Sequence, residues 1–231
     1  MTTIAIIAAL DRELKPLVKS WKQTEVEFQG KTFRVFQGQS KERKNLVAVA
    51  GGIGSRAAKR VASAMVAAYR PTALISAGVA GAIVGSLKIG CIVTPYAVIN
   101  VKSRNEYRCR LGEGLIAEGV VVSADEIADQ KLKQKLGEDF HALAVDMEAA
   151  AVAEIAKSSG IDFGCVKAIS DETNFPMLPL NRFVSAQGDF LSGRFAAWTI
   201  LRPWTWTRAI ALGRNSNQAT QALCNWLKEH V

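Results

Sequence analysis

Apolar runs of strand length alternate along this chain with segments of helical periodicity. The strand-like runs fall at residues 4–9, 46–50, 72–77, 90–94, 119–122, 142–146 and 163–169. Several of them lead directly into helical segments, of which residues 55–69 and 147–158 show the clearest apolar stripe at three- and four-residue spacing. This alternation predicts an α/β fold in three layers, α/β/α, with helices on both faces of a central sheet.

The segments at 24–35 and 185–212 add to this pattern. The first predicts two short strands around the turn Gly30-Lys31, which makes the central sheet mixed rather than purely parallel. In the second, Pro203 interrupts a helical pattern that carries three tryptophans, so two helices joined by a kink or a loop are expected. No linker-like composition and no internal repeat divides the chain, so residues 1–231 are expected to form one domain.

Acidic side chains follow three of the predicted strands. Glu13 comes shortly after the first strand, Glu148 follows the strand at 142–146, and Asp171 follows the strand at 163–169. Ligands of open α/β sheets bind beyond the carboxyl ends of the strands, so the three acids are expected to meet in one crevice. Burying carboxylates without a task is costly, which makes these side chains candidate catalytic residues.

Two motifs of small residues also lie at strand ends. Residues 51–55, of sequence GGIGS, match a degenerate dinucleotide fingerprint weakly. The next strand offers no acidic residue to bind a ribose, so a tight turn against a ligand or the sheet is the preferred interpretation. The second motif, residues 76–81 of sequence SAGVAG, allows a flat ligand to approach the backbone closely and leaves amide groups free to donate.

The net charge of +8 raises the question of an anionic partner. The basic residues are scattered, however, and accompany no nucleic-acid-binding motif, so nucleic acid is not expected as a partner. Lys131, Lys133 and Lys135, for example, are expected to lie on the solvated face of one helix.

The cysteines and histidines form no metal-binding pattern. The four cysteines lie far apart without C-x-x-C spacing, and neither of the two histidines is near a cysteine. No metal site is predicted, and Cys91 and Cys165 are expected to be ordinary core residues. The first apolar run lacks the flanking pattern of a signal peptide, so a cytoplasmic location is expected.

Taken together, the motifs resemble the purine nucleoside phosphorylase and nucleosidase superfamily, and most closely the methylthioadenosine/S-adenosylhomocysteine nucleosidases. The resemblance covers roughly residues 3–172 and rests on the loop ending in Glu13, on Met147-Glu148-Ala149 and on Ile169-Ser170-Asp171. It implies a nucleoside phosphorylase-like fold. It also implies an enzyme that cleaves the N-glycosidic bond of a purine nucleoside whose 5′ position is modified.

The resemblance implies a role for each site residue. Asp171 protonates the leaving purine at N7, the Glu148 carboxylate binds the ribose hydroxyls, and Glu13 prepares the attacking water. The residues implied to bind the substrate are Ile53, Ser76, Ala77, Gly78, Val79, Ile127, Asp146, Met147 and Ser170. No metal or organic cofactor is implied. A homodimer is implied, because enzymes of this family complete the pocket across a subunit interface.

Three features differ from the nucleosidases. Ile127 stands where those enzymes place an aromatic residue against the base, so aliphatic contact replaces stacking. The segment between 90–96 and 119–122 looks shorter than the loop that closes over the 5′ substituent in that family, which puts specificity for a methylthio group in doubt. The Trp- and Arg-rich segment 194–214 has no counterpart in the soluble nucleosidases.

These differences leave alternatives open. Glu13 favours water as the nucleophile, since a carboxylate repels phosphate, whereas a phosphorylase takes inorganic phosphate as co-substrate. Residues 145–148 and 169–172 also resemble the hopanoid-associated phosphorylases, which implies an adenosyl lipid as substrate and peripheral contact of 194–214 with the inner membrane. The same tryptophans equally suit the core or an oligomer interface. A catalytically idle nucleoside-binding module is a third alternative, which the presence of all three acids disfavours.

Overall fold

The computed structural model describes residues 2–110 and 117–231, and within them a central sheet carries helices on both faces. The strands are β1 Thr3–Ala8, β2 Lys22–Phe28, β3 Lys31–Gln39, β4 Asn45–Ala50, β5 Ala73–Ala82, β6 Ile92–Val93, β7 Ala97–Asn100, β8 Glu106–Arg108, β9 Val120–Ser123, β10 Ala144–Asp146 and β11 Asp162–Asp171. The helices are α1 Asp11–Leu14, α2 Ser55–Tyr69, α3 Gln130–Phe140, α4 Ala149–Ser158, α5 Ser192–Ile200 and α6 Trp206–His230.

The sheet is mixed, as the sequence predicts. Its strands run in the order β2-β3-β4-β1-β5-β10-β9-β7-β8, while β11 lies beside β5 and β6 pairs with β11. Strands β4, β1, β5 and β11 are parallel, and β2 and β3 add an antiparallel hairpin at one edge. The carboxyl ends of β1, β5 and β11 therefore meet at one edge of the sheet, where open α/β folds bind ligands.

The two faces of the sheet have separate apolar cores. Along β1, Ile7 faces the core beneath α2 and α4, whereas its neighbour Ile6 faces the core beneath α1 and α6. The same alternation continues along β5 and β11, because successive side chains of a strand point to opposite faces. The predicted three-layer α/β/α architecture is confirmed, and the organisation of residues 1–231 as one domain stays a prediction.

Some element boundaries differ from the prediction. The run at 90–94 forms only the short strand β6, and the helix predicted over 147–158 begins at Ala149. The helix begins later because Glu148, at φ −128°, is not helical, and an Asp146 carboxylate oxygen accepts a hydrogen bond from the Ala149 amide at 2.8 Å. Met147 and Glu148 thus stay outside the helix, with their side chains at the end of β10.

The C-terminal segment forms two helices, as predicted. A 3₁₀ turn over Pro203–Thr205 separates α5 from α6, because proline lacks the amide proton that a continuous helix requires. The second half of α6 is anchored by Ala219, Leu223 and Leu227, which are fully buried against the sheet. Within residues 2–110 and 117–231, no helix combines the length and the hydropathy that crossing a bilayer requires.

Candidate active site

A cavity at the carboxyl edge of the sheet brings the three predicted acids together. Glu13 reaches it from α1, Glu148 from the junction of β10 and α4, and Asp171 from the end of β11. Strand β10 runs antiparallel to the last residues of β5, and the carboxyl end of β10 therefore lies at the same edge. Three acids that are distant in the sequence therefore line one cavity, as their positions after successive strands predict.

Glu13 is almost fully buried and is held by the backbone. Its Oε2 accepts hydrogen bonds from the amides of Ala9 at 3.0 Å and Leu10 at 3.2 Å. Burial raises the pKa of the Glu13 carboxyl, although these amides and the Lys167 ammonium act in the opposite direction. A carboxylate with a raised pKa is a stronger base near neutral pH, which suits the activation of water.

Glu148 is fixed by the glycine-containing turn at 51–55. Its Oε1 accepts a hydrogen bond from the Gly54 amide at 2.7 Å, and its Oε2 accepts one from Met147 at 3.3 Å. Gly54 has a φ of 90°, which side-chain-bearing residues rarely adopt. Burial raises the pKa of Glu148 to about 7, and the Asp146 carboxylate adds to the rise. The glycines of this turn are thus explained by its contact with the Glu148 carboxylate. No bound dinucleotide is needed to explain them.

Lys167 is a buried cation of the site that the sequence analysis did not identify. Its Nζ lies 2.7 Å from an Asp146 oxygen and donates to Ser76 Oγ at 3.1 Å. Burial alone lowers the pKa of Lys167, but the carboxylates of Asp146 and Glu148 and the Cys165 thiol raise the pKa above its usual range. One ammonium therefore stays charged among Glu13, Asp146 and Glu148 and compensates part of their negative charge. The only signal in the sequence is a lysine inside an apolar run.

Asp171 is paired with a second buried lysine. One carboxylate oxygen accepts a hydrogen bond from Ser170 Oγ at 2.9 Å, and the other forms an ion pair with Lys133. A Cβ at Gly81 would come within 2.8 Å of the Asp171 carboxylate and 2.9 Å of the Lys133 side chain. Glycine at position 81 thus leaves the room that this pair requires.

The expectation that Lys133 lies on a solvated helix face is wrong, since the residue is 1% exposed. Lys131 and Lys135 on the same helix are exposed, as predicted. The Asp129 side chain caps α3 by accepting a hydrogen bond from the Leu132 amide. Lys133, the next residue, extends its side chain toward Gly81 on β5 and lines the cavity. The sequence does not indicate which of the three lysines on this helix points into the site.

Most of the predicted binding residues line the cavity, and three do not. The former are Ile53, Val79, Ile127, Asp146, Met147 and Ser170. Ser76, Ala77 and Gly78 lie behind the wall, which corrects the expectation that they line the pocket. The reason is that β11 pairs with β5 along all three residues and β1 pairs with it as far as Ser76, while the side chains of Glu13 and Lys167 lie over Gly78.

An apolar wall on the far side of the cavity was not predicted as part of the site. It comes from the segment 177–216, and its members are Met177, Leu180, Phe190, Phe195, Ala209 and Leu212. Phe195 packs on Phe183, whose ring also contacts Trp198 at a centroid distance of 5.7 Å. The sequence predicted no pocket role for these apolar residues, whereas in the structure one side of this segment lines the pocket.

Among the described residues, no three His, Cys, Asp or Glu side chains are grouped to hold a metal ion. Cys165 is buried as expected, whereas Cys91 is only partly buried. The segment expected to be a shortened loop contains residues 111–116, which lie outside the described residues.

The fold and the cavity define an α/β protein with a carboxylate-lined cavity beyond the carboxyl ends of its parallel strands, the place where open α/β folds bind small ligands. Residues 3–178 match the model of the phosphorylase superfamily, and the chain belongs to this superfamily. The family resemblance drawn from the sequence is therefore confirmed.

Individual relatives have the same architecture. The chain is 28% identical over 207 residues to a 5′-methylthioadenosine/S-adenosylhomocysteine nucleosidase of Shewanella oneidensis, an alignment that covers 74% of this chain and 84% of the relative. The solved futalosine hydrolase of Helicobacter pylori superposes with a TM-score of 0.74 at 18% identity and covers 99% of this chain and 97% of that one. The solved 5′-methylthioadenosine/S-adenosylhomocysteine nucleosidase of Neisseria meningitidis, in complex with methylthio-immucillin-A, superposes with a TM-score of 0.73 at 19% identity. The superposition covers 99% of this chain and 98% of that one.

Proposed function

We propose that this chain hydrolyses the N-glycosidic bond of an adenine nucleoside with a modified 5′ position. The observation that carries the proposal is the meeting of Glu13, Glu148 and Asp171 in one cavity. The phosphorylase superfamily includes enzymes of this class, and a relative of 28% identity is named a nucleosidase.

The three carboxylates match the charges that the reaction creates. As the bond from C1′ to N9 breaks, positive charge develops on the ribose and negative charge on the purine. Glu148 accepts hydrogen bonds from the ribose hydroxyls and stabilises the oxocarbenium-like sugar with its negative charge. Asp171 delivers the proton that lets the purine leave as a neutral base. Glu13 binds the water that attacks C1′ and takes one of its protons.

The arrangement of charges favours water over phosphate. Both buried ammonium groups of the cavity region already pair with carboxylates, Lys167 with Asp146 and Lys133 with Asp171. Arg12 is the only arginine among the described residues that line the cavity, so no pair of arginines is in place there to bind a phosphate dianion. Glu13 would also repel an anion at the position where it attacks. Inorganic phosphate is thus not required as a co-substrate.

Adenine release is therefore expected to proceed equally with and without inorganic phosphate. The substrates to compare are methylthioadenosine, S-adenosylhomocysteine, 5′-deoxyadenosine, adenosine, inosine and futalosine, each assayed for the free base by chromatography. A chain that releases base only when phosphate is present would be a phosphorylase. A chain that binds these nucleosides but releases no base in either buffer would be the idle binding module.

A second candidate substrate is an adenosyl group joined through its 5′ carbon to a large lipid. The observation that favours it is an apolar patch next to the apolar cavity wall, made of the exposed side chains Ile200, Leu201, Trp204, Trp206 and Ile210. Arg194, Arg208 and Arg214 are exposed in the same segment, and exposed Trp with nearby Arg is typical of a helix that lies on an anionic membrane surface. Trp198 instead packs against Phe183 and Phe195, so only part of the tryptophan set is internal.

We expect the chain to co-sediment with vesicles that contain anionic phospholipid and to lose most of this binding in the double variant Trp204→Ala/Ile210→Ala. Tyr96→Ala is the matched control, because Tyr96 is an exposed aromatic residue outside the apolar patch. Absence of the native chain from the vesicle pellet would refute the membrane contact. If sedimentation velocity then shows a dimer that the double variant dissociates, the apolar patch belongs to the homodimer that the family resemblance implies.

A further inference from the structure

The ion pair between Lys133 and Asp171 is buried in the wall of the cavity. The two residues are 1% and 5% exposed. Lys133 Nζ contacts an Asp171 carboxylate oxygen and lies 3.0 Å from the Glu172 carbonyl oxygen and 3.5 Å from that of Asp171. Three acceptors surround a group that has three protons when it is an ammonium. An ammonium donates to all three acceptors at once, so the arrangement fits a carboxylate beside an ammonium, with the proton on the lysine.

This arrangement matters for the proposed reaction, on which the inference rests. A carboxylate that faces an ammonium has no proton of its own for the purine N7. The second Asp171 oxygen accepts a hydrogen bond from Ser170 Oγ at 2.9 Å. The proton must come from a group in contact with Asp171, and Lys133 is in contact and also lines the cavity.

We propose that Lys133 is a positioning residue for the acid, which stores one proton beside Asp171 and releases it through that carboxylate to the departing purine. A proton leaves Lys133 Nζ for Asp171, and a proton passes from Asp171 to N7. The electron pair of the C1′–N9 bond goes to the purine, which leaves neutral. Water bonds to C1′ and loses a proton to Glu13, and Lys133, left as a neutral amine, regains its proton from solvent when the base departs.

The variant Lys133→Arg separates storing a proton from supplying a charge. Arginine keeps the positive charge beside Asp171, but its guanidinium does not give up a proton in proteins. We expect kcat for adenine release to fall about 10²-fold in Lys133→Arg, within the range for general acid catalysis, with KM changed less than about threefold. Lys135→Arg is the matched control, because Lys135 is exposed on the same helix.

The leaving group decides whether the loss concerns the proton. A 4-nitrophenyl β-riboside with the same 5′ group releases a phenolate that needs no proton, so its hydrolysis is expected to stay within about threefold of the native rate in Lys133→Arg. Equal loss with both substrates, or no loss with adenine nucleosides, would overturn the role assigned to Lys133. Where Lys133→Arg does not fold, as judged by thermal unfolding, Lys133→Gln is measured with the same two substrates. A native chain that cleaves neither substrate would refute the proposed function instead.

Discussion

Replacing Asp171 by Asn is expected to lower kcat/KM for adenine release by about 10³-fold while nucleoside binding largely survives. Asparagine has nearly the same shape and still accepts a hydrogen bond from Ser170, but it cannot carry a proton to N7. Turnover is followed by the free base, and affinity by calorimetry with a nucleoside whose glycosidic bond is uncleavable. The effect is among the largest we expect, because the purine then has to leave as an anion.

The control for Asp171→Asn is Glu172→Gln, because Glu172 lies next in the chain but pairs with Lys88 at the surface, 3.3 Å away. This control is expected to keep nearly native activity. Asp171→Asn also leaves the Lys133 ammonium without its carboxylate, so a lower melting temperature is expected, and assays belong well below it. Native turnover by a folded Asp171→Asn chain would show that Asp171 is not the acid.

The second large effect is expected for Glu148→Gln. Loss of this carboxylate removes the negative charge beside the ribose and is expected to lower kcat/KM by about 10²- to 10³-fold. The native pH profile should rise on the acid side with a midpoint near 7, since the pKa of Glu148 is about 7 and the ionised form binds the ribose. That limb should be absent from the residual activity of Glu148→Gln.

Folding stability is expected to change in the opposite direction with pH. The pKa of Glu148 lies near 7 in the folded chain and near its ordinary value of 4.5 in the unfolded chain. The folded state thus binds more protons between these values, and the contribution of Glu148 to stability is lost as pH rises through 7. The melting temperature measured from about pH 4 to about pH 8, a range that spans both pKa values, tests this trend.

Glu154→Gln is the control for Glu148→Gln, because Glu154 lies on α4, the helix that follows Glu148, and pairs with Lys59 at the surface. It should leave both the pH profile and the stability trend unchanged. An unaltered acid limb in Glu148→Gln would assign that titration to another group, of which Glu13 is the nearest in kind, since burial raises its pKa as well.

The fold and the three acids could be predicted because they depend on patterns that are local in the sequence. Strand-length apolar runs followed by helices predict the layers, and an acid after each run predicts its place at the edge of the sheet. The positions of Lys133 and Lys167 depend instead on which strands become neighbours. Lys167 reaches Asp146 and Ser76 because β11 lies beside β5, a pairing that no local pattern specifies.

The pocket-lining residues show the same limit. Ser76, Ala77 and Gly78 are small, which predicts a close approach, but small residues do not reveal whether a ligand or a buried side chain makes the approach. Here the Glu13 and Lys167 side chains lie over Gly78. The apolar wall was missed for a related reason, because Phe190 and Phe195 face inward only once the chain turns back over the sheet.

Helix α6 joins two functions on one rigid rod of 25 residues. Its positions 209–216 border the cavity, and its positions 219–227 are clamped into the core. Adding a single residue between these stretches would rotate one against the other by about 100° and turn the wrong faces inward. Adaptation of the cavity to a different ligand is thereby restricted to exchanging side chains along α6, while changes in length are accommodated by the loops before it.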